Sequence, residues 1–203
     1  MHKNVLIFGG SGFIGSHVAD ELSDQGYTTT IFDLAESLYL RDDQTMVVGD
    51  ILDEKLVKEA VSGNDFVMNF AGISDIDECA ENRIDAVKHN ILGNLSILEA
   101  CVEAKVKRYV FASSSYVYSA RGTIYKDTKQ ACENFIDSYQ KMFGLDYTII
   151  RYGSLYGSRS DDRNSIHRYI KEALETGIIN YSGSGEEIRE YIHVKDAAKL
   201  TVD

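Results

Sequence analysis

Short apolar runs alternate with longer segments of helical periodicity along the chain. The apolar run at 5–8, for example, is followed by Phe13, Ile14, Val18 and Leu22, which have the spacing of one helix face. The runs that predict strands are 5–8, 27–32, 45–48, 65–70, 108–112 and 190–194. Four segments predict helices. The first follows the glycine turn that ends at Gly15, and the others cover 53–61, 76–104 and 125–143.

No hairpin signal separates the predicted strands, and the strand runs are mostly continuous in apolar residues. This pattern is typical of parallel strands that are covered by helices on both faces. We therefore predict an α/β fold with a doubly wound parallel sheet. Ligands of such sheets bind at the carboxyl ends of the strands.

The turn after the first strand is rich in glycine and fits the spacing of a dinucleotide fingerprint. A backbone without Cβ atoms can approach a diphosphate closely, and the following helix presents free N–H groups to it. A plain glycine-rich turn is the alternative, but the strand before the turn and the helix after it favour a cofactor. The predicted cofactor-binding residues of this turn are Gly9, Gly12, Phe13, Ile14 and Gly15.

Asp33 ends the second predicted strand, 18 positions beyond Gly15. At this spacing a carboxylate accepts hydrogen bonds from the ribose hydroxyls of a dinucleotide and repels a 2′-phosphate. Leu34 follows where an arginine could have bound that phosphate, so NAD is favoured over NADP. Alternatively, Asp33 only caps a turn.

Other strand ends carry small or polar residues that could border the same cofactor. Asp50 and Ile51 follow the third strand, and Ala71 and Gly72 follow the fourth. Small residues permit close approach of the backbone to a ligand, although they also occur in ordinary turns. The fifth strand leads into 113–115, a run of three serines.

Tyr125 and Lys129 are four positions apart in a predicted helix and therefore lie on one face of it. A phenol titrates near pH 10, so a tyrosine base needs a positive charge nearby, which a lysine and an oxidised nicotinamide could supply. A tyrosine at helical spacing more often serves packing, and the pair alone is a weak signal.

Composition limits the possible partners and the location of the protein. The formal net charge of −11 speaks against a nucleic-acid or anionic-membrane surface, so an anionic ligand needs a local cluster of donors. No segment approaches the roughly 20 apolar residues of a membrane span, and the first strand begins too early to leave room for a signal peptide. We expect a cytoplasmic protein with no metal site, in which Cys79, Cys101 and Cys132 are buried free thiols.

Together these motifs resemble the extended short-chain dehydrogenase/reductase family, and within it the NAD-dependent nucleotide-sugar epimerases and dehydratases. The resemblance covers essentially the whole chain and implies a Rossmann-like fold, NAD as the cofactor and a nucleotide-diphosphate sugar as the substrate. The segments that carry it are 9–15, Asp33, 49–50, 90–94, 113–118, Tyr125 with Lys129, 151–157 and 189–196.

The resemblance also implies roles for single residues. Tyr125 is then the acid/base, Lys129 lowers its pKa and holds the nicotinamide ribose, and Ser114 hydrogen-bonds the substrate oxygen. Asn90 belongs to the cofactor site. The substrate-binding residues implied are Ser114, Ser115, Ser154, which stands where many members carry Asn, and Arg189, as the diphosphate arginine.

The implied reaction is transient oxidation of a sugar hydroxyl. Dehydratases of this family place an Asp-Glu pair where this chain has Ser115 and Tyr116, so an epimerase is favoured over a dehydratase or reductase. A non-catalytic, dinucleotide-binding regulatory protein is the alternative of another class.

We expect an NAD-binding domain over 1–152 and a partial substrate-binding region over 153–203. Family members continue further, so the sequence is either part of a longer chain or a naturally short member. The resemblance further implies a homodimer formed through the helices near 76–104 and 125–143.

Overall fold

The computed structural model describes residues 3–119, 123–181, 183–186 and 188–203. Within these ranges, six parallel strands form one sheet in the order β3-β2-β1-β4-β5-β6. The strands are β1 (Asn4–Phe8), β2 (Thr28–Asp33), β3 (Gln44–Val48), β4 (Phe66–Asn69), β5 (Arg108–Ser114) and β6 (Tyr147–Tyr152). Two short parallel strands, β7 (Ser154–Tyr156) and β8 (Tyr191–His193), pair beside this sheet.

Helices connect the strands and cover both faces of the sheet. They are α1 (Phe13–Asp24), α2 (Glu54–Val61), α3 (Ile76–Glu81), α4 (Arg83–Val87), α5 (Gly93–Glu103), α6 (Thr123–Phe143), α7 (Ser165–Thr176) and α8 (Val194–Val202). A π-helical turn at Lys88–Leu92 joins α4 to α5, and a 3₁₀ turn at Ser115–Tyr118 follows β5. The predicted doubly wound parallel sheet is confirmed, whereas β6, β7 and α7 were not predicted from the sequence.

The continuous apolar run of β1 explains why both faces of the sheet are covered. Leu6 and Phe8 pack into one core with residues of α2, α5 and α6. Val5 and Ile7 point to the opposite face, where they pack in a second core with residues of α1 and α8. Successive side chains of a strand alternate between faces, so a run without polar residues needs a helical layer on each side.

The prediction of a single helix over 76–104 is wrong. Asn82 leaves the helical conformation, with φ −109° and ψ 53°, and thereby separates α3 from α4. The π-helical turn then holds one residue more than an α-helical turn. This extra residue rotates the side chains before the turn by about 100° about the helix axis, relative to those after it. For this reason Val87 is partly exposed while Leu98, predicted on the same face, is fully buried.

Within the described part of the chain, no helix combines the length and apolar character needed to cross a bilayer.

Candidate functional site

The glycine turn between β1 and α1 packs tightly against neighbouring backbone. Gly9 has φ +75°, and a Cβ there would lie 2.6 Å from the Ala71 nitrogen. A Cβ on Gly15 would lie 2.2 Å from the carbonyl oxygen of Gly9. Because these neighbours are backbone atoms that cannot swing aside, only glycine fits at either position. The turn therefore leaves a cradle at the start of α1, which suits a diphosphate.

Asp33 lies at the carboxyl end of β2, beside this turn. Its Oδ2 accepts a hydrogen bond from the backbone N–H of Ser11 at 2.9 Å, and its Oδ1 accepts one from Leu34 at 2.8 Å. Asp33 thus caps a turn, as the alternative interpretation held. Each carboxylate oxygen still has a free lone pair for a ribose hydroxyl, so the two roles are compatible.

A cavity of about 930 Å³ opens over the carboxyl ends of the central strands. Twelve of the predicted site residues line it: Gly9, Gly12, Phe13, Ile14, Gly15, Asp33, Ile51, Ala71, Gly72, Ser114, Tyr125 and Lys129. Other residues that line the cavity were not predicted from the sequence, among them Ser11, Tyr152, Gly153, Arg163 and Asn164. Ser11 lies within the glycine turn, and Tyr152 and Gly153 lie within the segment 151–157, so these motifs could have indicated them. Arg163 and Asn164 lie in the loop before α7, where motif spacing gives no signal.

Five predicted site residues do not line this cavity. Asp50 accepts a hydrogen bond from the Leu52 N–H and stabilises the turn before α2. Ser115 is exposed in the 3₁₀ turn, Ser154 is half-buried in β7, and Arg189 is exposed just before β8. The fifth residue, Asn90, is buried behind the lining.

Asn90 holds the loop that follows β4. Its Oδ1 accepts from the Ile73 N–H at 2.7 Å, while its Nδ2 donates to the Ile73 carbonyl and to Thr128 Oγ1, both at 3.0 Å. Gly72 fits only because it has no side chain, since a Cβ there would lie 2.5 Å from Asn90 Oδ1. Asn90 therefore shapes the cavity wall from behind.

Lys129 reaches from α6 to the end of β5. Its Nζ donates to the Ala112 carbonyl at 2.8 Å and lies 4.7 Å from the centroid of the Phe111 ring. The same nitrogen is 5.9 Å from the centroid of the Tyr125 ring. Burial lowers the pKa of this ammonium below its ordinary value.

Tyr125 lies one helical turn before Lys129, and its ring packs edge-on against Tyr116 with the centroids 6.4 Å apart. Burial raises the pKa of the Tyr125 phenol, and a hydrogen bond with Ser114 opposes that rise. In the protein by itself, the net shift is thus opposite to the lowering that the resemblance implied. A low phenol pKa requires a positive charge close to the phenolate.

A charged network anchors the end of β5 behind Ser114. Glu133, on α6, accepts a 2.6 Å hydrogen bond from the Ser113 hydroxyl and pairs through both oxygens with Arg151 on β6, at 2.9 and 2.7 Å. Burial disfavours the Glu133 carboxylate, but the hydrogen bonds from Arg151 and Ser113 outweigh it and lower its pKa. The network ties β5, α6 and β6 together at the cavity.

A doubly wound sheet with a glycine cradle and an acidic residue at the end of β2 defines the class of dinucleotide-binding α/β proteins. The model of the NAD dependent epimerase/dehydratase family matches residues 5–202, and the chain belongs to this family. The resemblance inferred from the sequence is therefore confirmed. The protein is an enzyme, and its cofactor is NAD.

Individual relatives share the fold over nearly the whole chain. UDP-N-acetyl-alpha-D-glucosaminuronate decarboxylase of Bacillus cytotoxicus is 32% identical over 229 aligned positions, which cover 100% of this chain and 71% of the relative. The structure of UDP-glucose 4-epimerase from Thermotoga maritima with UDP-glucose has a TM-score of 0.92 and 25% identity, with 98% of this chain and 72% of that chain covered. UDP-glucose 4-epimerase from Brucella ovis, in complex with NAD, has a TM-score of 0.89 and 27% identity, with the same coverage.

Proposed function

We propose that this enzyme is a nucleotide-sugar epimerase that oxidises a sugar hydroxyl transiently. The observation that carries the proposal is that Ser114, Tyr125 and Lys129 line the same cavity as the glycine turn. The relatives named above act on or bind UDP-sugars by their names, which supports a UDP-sugar as the substrate class. NAD, when bound, supplies the hydride acceptor.

In this proposal Tyr125 Oη takes the proton of the sugar hydroxyl and returns it at the end of the reaction. Ser114 already hydrogen-bonds the phenol, so it can hold the substrate oxygen next to it. Lys129 is buried one turn further along α6, where its ammonium acts in a medium of low polarity and is therefore poorly screened. It holds the nicotinamide ribose and favours the phenolate.

The proposed cofactor-binding residues are those predicted from the sequence. The glycine turn receives the diphosphate, and Asp33 accepts from the adenosine ribose, which favours NAD over NADP. Ile51, Ala71 and Gly72 border the cofactor, with Asp50 and Asn90 supporting these segments from outside the cavity. Ser115, in the 3₁₀ turn after β5, and Ser154, in the region 153–203, are assigned to the substrate side.

An epimerase is preferred to a dehydratase because Ser115 and Tyr116 follow Ser114. Neither side chain is a carboxyl group, so the pair cannot supply the acid and base that elimination of water requires. Tyr116 is also occupied by its packing against the Tyr125 ring.

The test is to incubate the NAD-loaded protein with UDP-glucose, UDP-N-acetylglucosamine, UDP-glucuronate and dTDP-glucose and to identify products by NMR. Tyr125→Phe should lower turnover by about a hundredfold or more, since it removes the general acid/base, while NAD binding persists. Tyr139→Phe is the matched control, because it removes a phenol hydroxyl from the same helix outside the cavity lining. Turnover that survives in Tyr125→Phe would overturn the epimerase mechanism, and so would a product formed by elimination of water from the sugar.

We also propose a homodimer formed through α3–α6. Large apolar side chains are exposed on these elements and would be covered in such a dimer: Ile84, Val87, Leu92, Phe135, Met142 and Phe143. A monomeric mass from light scattering in solution would contradict the dimer.

The buried free thiols Cys79, Cys101 and Cys132 suit a reducing cytoplasm, which is the proposed location.

A further inference from the structure

Ser113 lies between the two contacts that join the end of β5 to the proposed catalytic side chains. The residue before it, Ala112, accepts a 2.8 Å hydrogen bond from Lys129 through its carbonyl oxygen. The residue after it, Ser114, hydrogen-bonds the Tyr125 phenol. Because the peptide planes on either side are rigid, the position of Ser113 controls how β5 meets both of these α6 side chains.

Glu133 holds Ser113 from the next turn of α6. Its Oε1 accepts from the Ser113 hydroxyl at 2.6 Å and from Arg151 Nε at 2.9 Å, and its Oε2 accepts from Arg151 Nη2 at 2.7 Å. A carboxylate that is paired through both oxygens has little freedom to rotate. Only 14% of the Glu133 side chain is exposed, so water competes little for these bonds. Glu133 is therefore a fixed acceptor for the Ser113 hydroxyl.

Arg151 extends the same support to the turn that follows Ser114. It lies on β6, beside the end of β5, and its guanidinium carbon is 5.0 Å from the centroid of the Tyr118 ring in the 3₁₀ turn. Helix α6 contacts this turn as well, because Gln130 donates a 2.7 Å hydrogen bond to the Val117 carbonyl. The backbone is thus held both before and after Ser114.

We propose that Glu133 is a positioning residue that orients Ser114 toward the Tyr125 phenol. It acts through Ser113, while Arg151 fixes its carboxylate. Glu133 does not line the cavity, whereas Ser113 and Ser114 do, so its role is to position and not to react. The inference rests on the proposed function, in which Ser114 holds the substrate oxygen next to the phenol.

A double-mutant cycle on kcat tests this role in the NAD-loaded protein, with circular dichroism to show that each variant is folded. Glu133→Gln should lower kcat about tenfold, because a neutral amide holds Ser113 and Arg151 less firmly than a carboxylate does. Ser113→Ala should lower kcat to a similar extent without a change of charge. In the Ser114→Ala background, Glu133→Gln should lower kcat less than about twofold further, since the group that it positions is gone.

A spectroscopic measurement follows the same contact without turnover. The NMR chemical shift of the Tyr125 ring carbon that bears the hydroxyl, in protein labelled at that carbon, reports the hydrogen bond with Ser114. Glu133→Gln and Ser113→Ala should both move this shift toward its value in Ser114→Ala. Asp137→Asn is the matched control, because it removes an ion-paired carboxylate from a more exposed position one turn further along α6. It should leave both kcat and the chemical shift at their wild-type values.

Wild-type kcat in Ser113→Ala overturns the positioning role. A loss from Glu133→Gln that is as large in the Ser114→Ala background as in the wild type overturns it too, and so does an unchanged Tyr125 chemical shift in Glu133→Gln. A wild-type protein that turns over no nucleotide sugar instead overturns the proposed function. The chemical shift then still decides whether Glu133 orients Ser114.

Discussion

Replacing Asn90 by Ala should destabilise the protein measurably. The substitution removes the three hydrogen bonds that the amide makes to Ile73 and Thr128, at 2.7 to 3.0 Å. At about 1 kcal/mol each they amount to about 3 kcal/mol. Two effects reduce this loss. Water can hydrogen-bond part of the half-buried Ile73 backbone in the variant, and the higher helix propensity of alanine recovers about 0.6 kcal/mol. We expect a loss of about 2 kcal/mol in the free energy of unfolding.

Urea unfolding followed by circular dichroism measures this loss, and an NAD titration should show weaker binding, since the 71–73 loop loses its support. Asn134→Ala is the control: Asn134 is exposed on α6, so the propensity gain is the same and no buried amide is lost. Unfolding free energies for the two variants within about 0.5 kcal/mol of each other would refute the assigned role of Asn90, because surface substitutions normally stay in that range.

Two other perturbations probe the cradle and the charged network. Gly15→Ala should raise the Kd for NAD about tenfold or more, because the Cβ would lie 2.2 Å from the Gly9 oxygen and force the turn to shift; unchanged NAD affinity would count against the cradle. Glu133→Gln should lower stability at neutral pH. The folded pKa of Glu133 is below its unfolded value, so its contribution is complete above about pH 4.3 and is lost as the pH falls through the folded pKa. The difference in unfolding free energy between wild type and Glu133→Gln should therefore shrink in acid, and a difference independent of pH would contradict the network.

Local sequence patterns predicted most of the sheet. Strands β1 and β5 contain continuous apolar runs, at 5–8 and 109–112, because both of their faces are buried, and that requirement is visible in the sequence alone. Strand β6 was not assigned, since it lies at the sheet edge and its residues 147–150 are only half-buried.

The breaks in the helical segment over 76–104 could not be predicted from periodicity. The π-helical turn is stable because the Asn90 amide finds partners on Ile73 and Thr128, which lie 17 and 38 positions away. Such partners are known only once the chain is folded.

The sequence by itself determined the fold class, the glycine cradle, the acidic residue at the end of β2 and the spacing of Tyr125 and Lys129. These features depend on backbone conformation and on neighbours within one or two turns of the chain. The tertiary structure decided which charged groups reach the cavity: it left Arg189 outside and brought in Arg163, on a loop held by the ion pair between Arg159 and Asp20, 139 positions apart. Contacts between residues so far apart in the sequence arise from packing of the whole domain, and local sequence patterns do not predict them.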